Sequence, residues 1–212
     1  MSTFPLALGR PTLADRLIRR SIATDIVLVL AGALFTAALA QVTIPLWPVP
    51  VTGQTLAVLL VGSTLGAVRG ATSLATYALI GVLGLPVFAP NDDGSHLTGM
   101  AALTAPSFGY IIGFILSAAL VGWIAERAGD RKILGAVLSF LGGTVATFAI
   151  GLPWLAISLG LTFAQTLEFG LYPFIIGGLI KAGIAAIIIP GVWAALTVIP
   201  KAWATFSRRK DS

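Results

Sequence analysis

Few side chains in this sequence can do chemistry, and the one most out of place is Lys181. It stands in Gly177-Gly178-Leu179-Ile180-Lys181-Ala182-Gly183, inside a long apolar run. A lysine near the centre of a bilayer costs about 2.5–3.5 kcal/mol on insertion scales. Apart from tyrosines, no other ionisable side chain lies clearly inside an apolar run, so the sequence offers this ammonium no acidic partner. An anionic ligand would supply one. That reading is preferred, because intramembrane charges are functional as a rule. The competing reading is snorkelling, since Lys181 lies about two turns into its run and its stem can carry the charge outward.

The other chemistry-bearing cluster is Asp92, Asp93 and His96, the last being the single histidine of the chain. Two carboxylates and one imidazole bind a metal weakly, whereas a catalytic zinc site takes three protein ligands in a shaped cavity. A solvated polar loop is the better reading, and neither metal nor cofactor is expected. There is no cysteine, which excludes disulfides and thiolate chemistry. No glycine-rich pattern that cradles phosphates is present. Two side-chain amides, Gln41 and Gln54, fall near the ends of apolar runs.

The elements that must position these residues are membrane helices. The chain has 212 residues, 57% hydrophobic and 10% charged, with mean hydropathy +0.98. A soluble domain carries roughly 25% charged residues. The apolar runs do not alternate with period two, so they read as helices rather than barrel strands. Six spans are predicted, over about 26–44, 51–68, 71–89, 108–124, 133–163 and 174–199, each near the ~20 residues that cross a bilayer. Gly81, Gly84 and Pro86 predict a kinked or unwound second half of the third span, and Pro45, Pro48 and Pro50 a tight corner after the first. Residues 1–25 form a basic lead-in, 26–200 a single membrane domain and 201–212 a basic tail. Leu13, Leu17, Ile18 and Ile22 recur at helical spacing in the lead-in and predict a short amphipathic surface helix. The first apolar run starts too late, and is too long, for a cleavable secretory signal.

Charge placement orients the bundle. Twelve of the thirteen Lys and Arg fall in the lead-in, at Arg69, at Arg127, Arg131 and Lys132, and in the tail. In a six-span arrangement all of these share one side, while the opposite loops carry Asp92, Asp93 and Glu168. The positive-inside rule makes the basic side cytoplasmic and places both termini there, in the cell membrane. The same placement explains the pI of about 10.1 without nucleic acid.

Several ordered motifs then resemble one family. Pro48-Val49-Pro50-Val51-Thr52-Gly53-Gln54-Thr55-Leu56 resembles the start of the second span in BioY proteins, the biotin-binding S components of energy-coupling factor (ECF) transporters. The run from Tyr77 through Gly81, Gly84 and Pro86 to Phe88 and Ala89 is similar to their third span. Pro106-Ser107-Phe108-Gly109-Tyr110 with Gly113-Phe114 is similar to the start of their fourth. Pro153-Trp154-Leu155, Gly170-Leu171-Tyr172-Pro173-Phe174-Ile175 and Lys181 match the last third. The resemblance covers nearly all of the chain from about residue 30. One departure stands out: the family's Gly-Asp-x-x-Lys reads Gly177-Gly178-Leu179-Ile180-Lys181 here, without the acid.

The resemblance implies an all-α, six-helix S-component fold and a non-enzymatic binding subunit. Such a subunit takes up biotin from outside and works with a transmembrane coupling protein and cytoplasmic ATPases. Biotin's carboxylate wants a cation, for which Lys181 is placed; its ureido head wants donors and acceptors, which Gln54 or Gln41 can supply. Tyr77, Phe88, Ser107, Tyr110, Trp154 and Phe174 lie where the family-like motifs place a ligand wall, although Trp and Tyr near span ends also serve as interfacial anchors. The loop over 90–106 is long enough to act as a lid. Gly62, Gly66 and Gly70, and Gly109 and Gly113, are spaced for close helix packing inside the bundle. For Ala33 and Ala37 the resemblance points outward, to docking of the coupling protein. The alternatives are an S component for another vitamin, which the missing acid keeps open, and a self-sufficient small carrier.

Overall fold

The computed structural model describes residues 12–91 and 93–210, with side chains described as far as Leu196. Asp92, Arg10 and the side chains of Lys201, Arg208, Arg209 and Lys210 therefore lie outside the described residues. The chain runs α1 (Leu13–Leu17), α2 (Ile22–Ala40), β1 (Thr43–Ile44), β2 (Val51–Thr52), α3 (Gln54–Leu65), α4 (Ala67–Val82), a 3-10 turn (Gly99–Thr104), α5 (Phe108–Ala125), α6 (Ile133–Leu159), α7 (Phe163–Gly170) and α8 (Tyr172–Lys210).

Four of these helices are long and apolar enough to cross a membrane: α2, α5, α6 and residues Tyr172–Leu196 of α8. The proline corner after α2 is spanned by a two-stranded ladder pairing Thr43 with Thr52 and Ile44 with Val51. Proline cannot donate to a ladder, so the strands stop at the turn residues and hand the chain on to α3.

The second expected span is cut short. It ends at Gly66, whose φ of +91° only glycine takes without strain, and α4 begins at once. α3 and α4 meet at that glycine and pack on each other. A Cβ on Gly70 would lie 3.1 Å from Gly62 Cα, and a Cβ on Gly62 2.7 Å from the Ala118 carbonyl of α5. These glycines pack inside the bundle, as their spacing predicts. α4 stops at Val82 and Gly84 takes φ +107°, so the expected disruption of the third span is a helix end.

α6 passes through Pro153 but stops at Leu159, where left-handed Gly160 ends it. Residues 160–162, expected at the end of that span, form the turn into α7, which is started by a capping box between Thr162 and Gln165. α8 continues as helix through Lys210, beyond the expected end of the sixth span.

Two expectations about charge and packing are corrected. Arg69 sits in the first turn of α4 and is 1% exposed. Its guanidinium bonds Asp15 Oδ1 at 2.7 Å and Asp25 Oδ1 at 2.8 Å, and Arg20 also pairs with Asp15 at 2.8 Å. Asp25 is itself buried within α2. Ionisable groups besides Lys181 thus lie inside helices, and they tolerate burial because they pair with one another. The same network pins α1, whose Leu13 and Ala14 are buried while Leu17 and Ile18 stay exposed. The amphipathic lead-in helix is therefore one short turn, ended at Ile18 by an extended backbone.

The second correction concerns Ala33 and Ala37. Ala33 is 1% exposed and Ala37 packs, half-buried, against the same core. On neighbouring Gly32 a Cβ would lie 2.6 Å from Ser73 Oγ of α4. The small residues Gly32 and Ala33 allow the close α2–α4 approach. The exposed apolar residues of α2 are Ile26, Val27, Leu30, Leu34 and Phe35.

Candidate binding site

The site is assembled where β2 meets α3. Gly53 donates its N–H to the Val42 carbonyl at 2.8 Å, fixing the chain as it leaves the ladder. Thr52 and Gln54 then close on each other. Thr52 Oγ1 donates to Gln54 Oε1 at 2.7 Å and accepts the Gln54 backbone N–H at 3.2 Å. Gln54 Nε2 donates to the hydroxyl of Tyr77 on α4. Thr52, Gln54 and Tyr77 are all buried. The amide is thereby oriented, with one N–H and part of its carbonyl capacity unspent.

Lys181 reaches the same spot from α8. Its Nζ donates to the Thr52 carbonyl and to Thr55 Oγ1, the latter at 3.1 Å. The ammonium therefore points inward, which removes the snorkelling reading. No carboxylate pairs with it among the described residues. Two neutral oxygens hold the ammonium in place without cancelling its charge, and a bound anion would complete its shell.

These groups open onto a cavity of about 180 Å³. Lys181, Gln54, Phe88, Ser107, Tyr110 and Phe174 all line it, together with Thr52 and Thr55. Tyr110 stacks on Phe174 with centroids 6.0 Å apart, and its hydroxyl donates to the Gly170 carbonyl at 2.9 Å. Phe148 stands edge-on to Tyr110 at 5.8 Å. Phe88 packs edge-on to Tyr77 at 5.4 Å, over Gly81, where any Cβ would overlap its ring. Rigid aromatic walls around few polar anchors are the usual make-up of a small-molecule site.

Two of the expected site residues sit one layer back. Tyr77 does not line the cavity; it holds Gln54. Trp154 packs on Phe108 and donates from Nε1 to the Ala105 carbonyl at 2.9 Å, which fixes the segment leading into α5. Gln41 lies outside the cavity and bonds the Ala37 carbonyl of its own helix at 3.0 Å. Asn91, Leu97 and Ala102 bring the 90–106 segment over the cavity. His96 belongs to that segment's scaffold, its Nδ1 2.8 Å from the Phe88 carbonyl, and Asp93 accepts from Ser95.

Thr52, Thr55, Asn91, Thr147 and Phe148 are lining residues that sequence reasoning passed over. Thr52 and Thr55 stood inside the Pro48–Leu56 motif, where flanking a glutamine at the head of a helix was a usable signal. Thr147 and Phe148 lie in an unbroken apolar span and carry none. Gly178, where the family's acid would stand, has no atom within 4 Å of an added Cβ and lines an apolar groove with Leu141 and Ile175. An acid at 178 would not lie in the cavity wall, so its absence leaves the Lys181 contacts complete.

Comparison with known proteins agrees with this architecture. The BioY family profile matches residues 11–198. The chain is similar to the biotin transporter BioY of Rhizobium etli, 34% identical over 72% of this chain and 82% of that one. It is similar to the biotin transporter BioY of Thermotoga maritima, 35% identical over 76% and 92%. Among solved structures, the S-component for biotin from an ECF-type ABC transporter superposes with a TM-score of 0.70, covering 81% of this chain and 92% of that one at 23% identity.

Proposed function

We propose that this chain, which belongs to the BioY family, is the high-affinity biotin-binding subunit of an uptake transporter. It is a multi-pass membrane protein whose relatives are named biotin transporters, and it acts without enzymatic chemistry of its own. The observation that carries the reading is Lys181. It is the one charged side chain in the lining of the cavity, steadied by Thr52 and Thr55, with no carboxylate beside it among the described residues.

In this reading Lys181 takes the valerate carboxylate. The amide of Gln54, oriented by Thr52 and Tyr77, meets the ureido head, and Phe88, Tyr110 and Phe174 enclose the thioether ring. Ser107, at the head of α5, adds a hydroxyl to the same wall. α3 and α4 complete a bundle of six membrane segments, with both termini cytoplasmic and the cavity opening outward. A transmembrane coupling protein and cytoplasmic ATPases supply the energy for release inward. Calorimetric titration of biotin into the purified protein tests this. Tight binding that weakens by one to two orders of magnitude in Lys181→Ala is expected, since a hydrogen bond to a charged group contributes about 1.5–3 kcal/mol. No binding by well-folded wild type would overturn biotin as the ligand.

A further inference from the structure

We infer that a second site, between α1, the α5–α6 connection and the C-terminal half of α8, binds the phosphate of an anionic lipid headgroup. It rests on the chain being embedded in a bilayer and is independent of the ligand of the Lys181 cavity. A groove of about 320 Å³ opens there, lined by Arg16, Arg131, Pro190, Trp193, Ala194 and Leu196. Two guanidiniums flank one indole: that of Arg131 lies 4.3 Å from the Trp193 ring centroid and that of Arg16 6.0 Å.

Trp193 is 7% exposed, yet its Nε1 has no acceptor among the described residues. An indole N–H buried without an acceptor is unfavourable, and a ligand oxygen removes the penalty. Guanidinium forks match the geometry of a phosphate's oxygens. Of the nearby carboxylates, Asp15 is paired with Arg20 and Arg69, and Asp130, fully buried beside Arg131, has its Oδ2 on Ser63 and its Oδ1 without a hydrogen-bond partner among the described residues.

The surroundings point to a lipid rather than a free ion. Leu17, Ile133 and Leu134, neighbours in sequence of the two arginines, expose their apolar side chains, as does Val192 beside Trp193. Such a collar suits acyl chains below a headgroup, and tryptophan with arginine at that depth is the usual make-up of a membrane interface. Basic pockets between membrane helices on the cytoplasmic side recognise acidic headgroups.

The test uses the full-length protein in neutral detergent. Its thermal unfolding is followed during titration with phosphatidylglycerol, with phosphatidylcholine and with inorganic phosphate. Phosphatidylglycerol alone should raise the midpoint in the wild type. Arg16→Gln with Arg131→Gln should weaken that effect by about fivefold per charge removed. Trp193→Phe, which keeps the ring and drops only the N–H, should weaken it by a few-fold. It carries the test by itself if the double variant does not fold. Equal effects of the two lipids, an equal effect of inorganic phosphate, or unchanged phosphatidylglycerol affinity in the folded variants would each overturn the inference. None of these outcomes bears on biotin binding, which the Lys181 titration reads separately.

Discussion

Gln54 and Tyr77 are joined through the Gln54 Nε2 and the Tyr77 hydroxyl, and this bond ties the head of α3, where Gln54 lines the cavity, to α4. Tyr77 touches no ligand in this arrangement. It orients the amide that would meet the ligand in the proposed site, since Thr52 already engages the Gln54 carbonyl at 2.7 Å.

Tyr77→Phe should therefore weaken biotin binding while leaving the ring packing on Phe88 intact. The freed Gln54 N–H becomes a buried donor without its partner, worth about 1–3 kcal/mol shared between affinity and stability. Titration of biotin alongside thermal unfolding separates the two shares. A variant that matches wild type in both would show that the amide does not depend on Tyr77.

Thr55→Val tests the cradle of the ammonium. It removes one acceptor 3.1 Å from Lys181 Nζ and keeps the side-chain volume. The Thr52 carbonyl remains, so the expected loss is that of one hydrogen bond, about 0.5–1.5 kcal/mol or up to roughly tenfold in Kd. A loss as large as that of Lys181→Ala would mean that Thr55 sets the position of the lysine outright.

Gly113 on α5 should not accept a side chain. A Cβ there would lie 2.5 Å from the Thr147 carbonyl and 2.9 Å from Thr147 Cα on α6. Gly113→Val must push α5 and α6 apart at backbone level, an overpacking cost of about 1–3 kcal/mol or more. The unfolding midpoint should fall, and biotin affinity with it, because Thr147 lines the cavity. Gly178→Ala, by contrast, meets open space and should change neither.

How much of this was legible in the sequence follows from what each signal depends on. The apolar runs located the helices, because lipid exposure demands them whatever the packing. The lone Lys181 pointed to the candidate cavity, which it lines, because a charge in such a run needs a reason. Gly66 as the break between α3 and α4 was missed, since small-residue spacing there reads equally as packing. Arg69 was taken for a loop charge, because its partners Asp15 and Asp25 are 54 and 44 residues away in sequence. Ala33 and Ala37 were turned outward by resemblance alone. Period and composition do not say which face of an all-apolar helix meets the bundle.

Arg69→Met should be among the most destabilising single changes. It leaves Asp15 and Asp25 without their shared cation. Removing one partner of a buried ion network costs about 3–5 kcal/mol. The loss should appear in the unfolding midpoint with little effect on biotin affinity in the surviving folded fraction. Restoring stability by also changing Asp25→Asn would show that uncompensated carboxylate charge is the cause.

The same network sets an acid limit. Burial pushes the Asp15 carboxyl up, but the Arg20 and Arg69 guanidiniums and the Thr12 backbone N–H outweigh it and hold it at about 2, below its ordinary 3.8. A depressed folded value means that Asp15 contributes stability above the ordinary carboxylate range and loses it as pH falls through about 2. Asp130 works the other way: burial, only partly opposed by the Ser63 hydrogen bond, raises it. Its contribution is present at low pH and lost as pH rises through that raised value. Thermal midpoints across an acid series should therefore fall steeply only below about pH 4. Asp15→Asn should lower the midpoint at neutral pH and flatten that acid limb. An acid limb equally steep in Asp15→Asn would assign the limit to other carboxyls and leave the Arg69 network with a purely positional role.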